Sequence, residues 1–334
     1  SQHRVFYQIL ILNSVFSYAQ LLAFLLQGYG VYSIVFSSIT TALSFYFGYL
    51  FWTKCTSTIP EISAWFFQAG FLFNVISSFG TGALVYLMVN HLANMEWYLA
   101  SVYFFLHFQY NGFFIFSILG FFFYLLDQHH VSLPGAKWLF WLFALSLPAA
   151  YLLSIIWGNL PWYGYIFAVI AAVVQFYAWV RILLFFCQNA AFQQALRPPA
   201  KLLIWISFLA ATVKFTLQLL SVIPSVSQYA FGFRPIVIAY LHLVLLGFIS
   251  LFLIAYVVQQ GFIKLKQGFG LFLWIFLMGI LGNELILMFQ GLSFFGFWSP
   301  AHSNEWLLGM AISMFLGILG MNIYSTYEKK EGLT

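Results

Sequence analysis

Charge is what this sequence most lacks. Only 12 of its 334 residues are Lys or Arg and 7 are Asp or Glu, where a soluble domain of this length carries about 80 charged residues. A water-soluble fold is thereby excluded. Cysteine is scarce as well: Cys55 and Cys187 are the only two. They form no C-x-x-C motif, so disulfide frameworks, thiolate metal centres and dithiol redox chemistry find no support, and both thiols are expected to be free. A Gly-rich phosphate loop, H-E-x-x-H, G-x-S-x-G and the paired His boxes of membrane desaturases are also missing, which leaves hydrolytic chemistry without a motif. The net charge of +5 then bears on orientation in a bilayer and not on nucleic acid.

What the chain has is hydrocarbon. Hydrophobic residues make up 63% and aromatic residues 22% of it, gathered into runs of about 20 residues, enough to cross a ~30 Å apolar layer as a helix. Ten runs fit, near 5–27, 29–52, 64–90, 97–126, 137–156, 161–187, 201–224, 231–259, 268–290 and 306–325. They lack the period-two alternation of barrel strands, and a helix satisfies its own backbone in lipid. Turns at Leu133-Pro134-Gly135, Asn159-Leu160-Pro161, Arg197-Pro198-Pro199 and Ser299-Pro300 punctuate them. The connections are short, so the expectation is an all-α integral membrane protein, one polytopic domain over residues 1–334 with antiparallel neighbours. The first span is too long for a signal-peptide core and is read as permanent.

An N-terminus in the cytoplasm places Arg4, Lys54, Lys137, Arg197, Lys201, Lys264, Lys266, Lys329 and Lys330 on that side and only Arg234 opposite. This bias predicts both termini inside, in a bacterial inner membrane. The echo of Gly279-Ile280-Leu281-Gly282 in Gly317-Ile318-Leu319-Gly320 predicts close helix packing, not a duplicated half.

Polar residues inside such spans mark pathways or sites. They are His107, Gln109 and Asn111 in the fourth span, Gln175 in the sixth, Lys214 and Gln218 in the seventh, His242 in the eighth, and Asn283 with Glu284 in the ninth. Arg181 stands about two turns from a helix end and can snorkel. His107 and His242 each lie roughly 15 Å down their helices by the ~1.5 Å rise per residue, so two imidazoles at one depth can hold a metal or a haem. The alternative is that each hydrogen-bonds a neighbouring helix and orders packing. Lys214 is the costliest residue. A pair with Glu284 is the expected resolution; a proton pathway or a Schiff base is the sharper one. His129 and His130 read as a solvated cluster, and His91 with Glu96 and His302 with Glu305 as exposed groups without zinc spacing.

Asn94-Met95-Glu96-Trp97-Tyr98 followed by His107-Phe108-Gln109-Tyr110-Asn111-Gly112 resembles the sixth helix of haem-copper oxidase catalytic subunits, most closely the nitric oxide reductase branch. Tyr240-Leu241-His242-Leu243 with Gly247 resembles the tenth. The resemblance covers about 94–255. It implies a shortened oxidase-like core, His107 as ligand of the non-haem metal, and Tyr240 and His242 at the positions of the two haem ligands. The departures are equally plain. Residues 152–158 contain none of the seventh-helix histidines, Tyr240 replaces one haem ligand, and no His lies between His3 and His91 to serve as trans ligand. By this resemblance the chain begins near the family's third helix, with the upstream helices either lost or supplied by another subunit. The expected function is a catalytically degenerate oxidase-like subunit. It holds one b-type haem or a single metal ion at His107 and His242 for electron transfer or gas sensing, or acts without ligand as a partner of other membrane or respiratory subunits. The alternative is a transporter or channel whose pathway uses the polar residues of the fourth, seventh, eighth and ninth spans, among them Asn111, Gln109, Lys214 and Glu284, with Gln175 a further intramembrane polar residue. Conventional oxygen or nitric oxide reduction is not expected, and neither is a nucleic-acid partner.

Overall fold

A computed structural model describes residues 2–28, 30–92, 94–158, 160–223, 225–226, 234–293 and 301–327. Among them ten helices are long and apolar enough to cross a bilayer: α1 Gln2–Gln27, α2 Val31–Lys54, α3 Glu61–Val89, α4 Met95–Gln128, α5 Ala136–Ser154, α6 Trp162–Gln188, α7 Pro198–Leu220, α8 Pro235–Gln259, α9 Phe269–Ser293 and α10 Ser303–Ile323. Each expected span is a helix, with ends that differ by a few residues. Local chemistry explains the ends. Asn94 caps α4 by accepting from Trp97 N at 3.0 Å, Pro161 precedes α6, and Pro198 opens α7 where a missing N–H costs nothing. Gly135 takes a left-handed φ of 79° before α5, the turn that Leu133-Pro134-Gly135 predicts. Asn159, Ser299-Pro300, Lys329 and Lys330 lie outside the described residues.

The surface is inverted relative to a soluble protein. Leu25, Leu26, Val89, Leu145, Trp162, Leu209 and Phe315 are exposed, while Lys214, Gln175 and Asn283 are buried. Water does not tolerate that distribution and lipid requires it. The chain is an integral membrane protein whose apolar exterior meets the bilayer.

Two compact units are described separately, Ser1–Asp127 and Gln128–Thr334. In the first, consecutive helices α1 to α4 pack as neighbours on a phenylalanine core. Phe66 stacks on Phe123 at 5.2 Å between ring centres, and Phe73 meets Phe116 edge to face at 5.0 Å. A polar rung joins each helix pair: Thr40 Oγ1 donates to Gln20 Oε1 at 3.1 Å, Asn74 Nδ2 to Ser44 Oγ at 3.1 Å, and Ser77 Oγ to Gln109 Oε1 at 2.8 Å.

The second unit packs α5 on α6, α6 on α7, α7 on α8, α8 on α9, and α9 on α10. The repeated Gly-Ile-Leu-Gly motifs lie at the last contact. A Cβ built on Gly317 would stand 2.7 Å from Phe276 N, and one on Gly279 3.0 Å from Met314 N, so both glycines permit close backbone approach, as expected. One feature departs from the all-helical expectation. Strands β1 (Ile263–Leu265) and β2 (Ser325–Tyr327) pair antiparallel, with Lys264 opposite Thr326. Edge hydrogen bonds thereby tie the basic connection after α8 to the segment after α10.

Candidate functional site

Two of the ten helices are not α-helical throughout. In α4 the residues His107–Phe114 wind as a π-helix, and in α8 so do Leu243–Ser250. A π segment adds a residue to a turn, disturbs the i to i−4 ladder, and is commonly found at functional positions. His107 opens the first segment and His242 immediately precedes the second. The sequence signal behind this coincidence was open to inspection. Leu106-His107-x4-Gly112-Phe113 and Leu241-His242-x4-Gly247-Phe248 are one pattern, too short for a search for long repeats to register.

Each histidine faces an asparagine amide. Asn283 Nδ2, from α9, lies 2.9 Å from His242 Nδ1. Asn111 Nδ2, one turn along the same helix, lies 3.4 Å from His107 Nδ1. An amide NH2 only donates, so Nδ1 accepts and the ring hydrogen of His242 belongs on Nε2. That arrangement is opposite to a metal-bound imidazole, which ordinarily donates from one nitrogen and offers a lone pair from the other. As arranged, His242 does not fit the part of an axial haem ligand. Tyr240, two residues earlier and half-buried, is about 200° around the helix from it at ~100° per residue. The two therefore address different sides of α8. His107 belongs to the first unit and His242 to the second, and each is placed within its own unit. Among the described residues no three His, Cys, Asp or Glu side chains converge as a metal group.

A further cluster of buried polar side chains lies between α6 and α7. Lys214 is fully buried at 0% exposure, with Gln175 at 2% and Gln218 at 9%. Lys214 Nζ donates to Gln218 Oε1 at 2.6 Å, and Gln218 Nε2 donates to Gln175 Oε1 at 2.8 Å. Helical spacing explains the first bond, since residues four apart share a face. The ammonium also lies 3.9 Å from the centre of the Phe215 ring, itself stacked on Trp179 at 5.5 Å. The expected partnership of Lys214 with Glu284 is corrected here. Lys214 takes an amide on its own helix, and Glu284 Oε1 accepts from the adjacent Asn283 Nδ2 at 3.5 Å. Among the described residues no ion pair joins Lys214 to a carboxylate.

The other sequence candidates are peripheral or local. Gln109 receives the Ser77 hydroxyl, while Asn111 Oδ1 is buried without a partner. Arg181 is exposed and donates to Tyr177 OH at 3.1 Å, in keeping with snorkelling. His129 packs edge-on against Phe192 at 5.6 Å. His302 pairs with Glu305 at 3.2 Å on an exposed helix start. Cys55 and Cys187 are free thiols; burial pushes the Cys55 thiol above its usual range, with Lys54 opposing.

Comparison with known protein families, with characterised proteins and with solved structures finds no match.

Proposed function

We propose that the chain is a catalytically degenerate, haem-copper-oxidase-like membrane subunit that works without a haem or metal at His107 and His242. Tyr240 is then a relic of the ligand set on the same helix. The hydrogen bond from Asn283 Nδ2 to His242 Nδ1, at 2.9 Å, carries the reading. It assigns the imidazole to helix-to-helix packing between α8 and α9, a role that intramembrane hydrogen bonds fill at about 1 kcal/mol. The recurrence of Leu-His-x4-Gly-Phe on two π segments supports descent from a scaffold in which those positions once carried ligands. Its partners would be other membrane or respiratory subunits in a bacterial inner membrane, with both termini in the cytoplasm, the orientation that the lysine and arginine distribution favours.

The test is an optical spectrum of the purified, dithionite-reduced protein. The expected result is no Soret or α band. A b-type spectrum that disappears in His242→Ala would overturn the reading and restore the ligand role. A transporter or channel is the second reading, favoured by the buried Lys214–Gln218–Gln175 chain. Ion flux in protein-containing liposomes, abolished by Lys214→Met, would establish it over the first.

A further inference from the structure

At one end of the second unit the connections between helices bond to one another. Gln260 Nε2 donates to Gln128 Oε1 at 2.6 Å, and Arg197 N donates to Gln259 Oε1 at 2.8 Å. The Arg197 guanidinium donates to Val258 O at 3.2 Å in the last turn of α8, and its Nη2 lies 3.0 Å from where a Cβ on Gly261 would stand. Strand β1 begins two residues beyond Gly261 and holds Lys264 opposite Thr326, while Lys266 N donates to Tyr324 O at 2.9 Å. Lys201 stands one turn from Arg197, about 6 Å along the axis of α7. Four cations are thus gathered on one hydrogen-bonded platform where α7, α8 and α9 end or begin, and Arg197, Lys264 and Lys266 are exposed. Among the described residues none of the four is paired with a carboxylate. The described carboxylates of this unit lie elsewhere: Glu284 is inside α9, and Glu305 is in the first turn of α10, at the far end of that helix from β2. Glu328 and Glu331 fall outside the described residues. Just past Lys266 the surface turns apolar, with Leu271 and Trp274 of α9 at 63% and 55% exposure.

From this juxtaposition we propose that Arg197, Lys201, Lys264 and Lys266 form a docking surface for anionic phospholipid headgroups of the adjoining leaflet, with the acyl chains against Leu271 and Trp274. Clusters of basic residues at the ends of membrane helices attract anionic lipid, and an exposed Trp one to two turns inside them marks the headgroup boundary. The two features select the partner together. An acidic protein segment would answer the charge and leave the apolar belt beside it uncovered, whereas a zwitterionic lipid would cover the belt and leave the surplus positive charge unanswered. The inference is independent of the oxidase-like reading, since it uses no residue of the His107 or His242 regions.

The test uses the full chain in neutral detergent. Its thermal unfolding midpoint is followed as phosphatidylglycerol is added, and in parallel as phosphatidylcholine with the same acyl chains is added. A ligand that binds the folded state raises the midpoint with its concentration. The wild type is expected to respond to phosphatidylglycerol at lower concentration than to phosphatidylcholine, and the difference should shrink as salt is raised. Lys264→Gln with Lys266→Gln should weaken phosphatidylglycerol about 25-fold, roughly fivefold for each basic residue beside an anionic headgroup layer, and leave phosphatidylcholine unchanged. Lys264→Arg with Lys266→Arg keeps the charge and should keep the affinity, which separates lost charge from a disturbed β1. Arg4→Gln with Lys54→Gln, in the first unit, should bind phosphatidylglycerol as the wild type does. Equal responses to the two lipids overturn the proposal, as does a phosphatidylglycerol response that survives Lys264→Gln with Lys266→Gln or falls equally in Arg4→Gln with Lys54→Gln. An equal rise with inorganic phosphate in place of lipid also overturns it, because the acyl chains would then contribute nothing.

Discussion

The π segments of α4 and α8 carry the same short sequence pattern and solve the same backbone problem with different partners. In α4, Phe113 O accepts the hydroxyl of Ser117 from its own helix at 2.7 Å, and the neighbouring helix α3 offers only Gly70, whose added Cβ would stand 3.3 Å from that oxygen. In α8 the matching carbonyl, Phe248 O, accepts the hydroxyl of Ser207 from α7 at 2.9 Å. The histidines differ in the same sense. His107 has its asparagine on its own helix, and His242 has one from α9. In the first region the carbonyl and the histidine bond within their own helix and the tie to a neighbour runs through Gln109, which accepts from Ser77 of α3, while in the second the carbonyl and the histidine are themselves fastened to neighbours on two sides. Equal local patterns therefore do not imply equal coupling.

The largest effect expected from this contrast concerns backbone approach. A Cβ on Gly80 of α3 would stand 2.7 Å from Phe105 N and from Ser101 O of α4. Both are backbone atoms, so the helices must separate. Overpacking at the upper end costs ~3 kcal/mol, and the ~1 kcal/mol helix preference of Ala over Gly offsets only part. Gly80→Ala should therefore destabilise the first unit by about 2 kcal/mol. Gly247→Ala in the second π segment would meet side chains alone, Ala210 Cβ at 3.1 Å and Leu243 Cδ1 at 3.6 Å, a cost of ~1 kcal/mol that the same preference cancels. Unfolding of both variants in detergent checks the pair. Equal losses would mean that the α3–α4 approach is not backbone-limited.

A smaller effect separates the asparagines. Asn283→Leu removes a bond between helices and should cost about 1 kcal/mol, the scale of intramembrane hydrogen bonds. Asn111→Leu should cost about zero, because the long 3.4 Å contact it loses is balanced by removal of the buried, partnerless Oδ1. Nitrogen NMR of labelled histidine sharpens the comparison. His242 should show its hydrogen on Nε2 in the wild type and a tautomer mixture in Asn283→Leu. A wild-type His242 with its hydrogen on Nδ1 would break it.

These differences mark where the sequence was legible. The ten spans were, because the requirement of lipid for about 20 apolar residues outweighs every local preference, and the Gly279 and Gly317 motifs disclosed a close contact for the same reason: a small side chain has few other uses in a membrane helix. Lys214 was recognisable as buried and in need of a partner. Its choice of Gln218 over Glu284 was not, since both are compatible with spacing and only the packing of α6, α7 and α9 decides. The π segments escaped notice because they alter hydrogen bonding without altering hydropathy. The β1–β2 pair joins short strands some sixty residues apart, and nothing in either sequence names the other.

The smallest expected effect tests the comparison most directly. Ser207→Ala takes the side-chain donor from Phe248 O across the α7–α8 contact, although Leu251 N still donates there. The carbonyl is not orphaned, so the loss should be about 0.6 kcal/mol, the average for hydrogen bonds between membrane helices. Ser117→Ala acts on the matching carbonyl, but a hydroxyl that bonds back to its own i−4 carbonyl bends a helix and stabilises it little; the expected change is about zero. Hydrogen exchange separates the two even where stability differs little. Opening of residues 243–250 should become faster in Ser207→Ala because a tie to another helix is gone, while residues 107–114 should exchange unchanged in Ser117→Ala. If Ser117→Ala accelerates its own segment as much as Ser207→Ala does, the carbonyl bond inside the first π segment matters as much as the interhelical one in the second, and the distinction between an internally bonded and an externally fastened carbonyl fails.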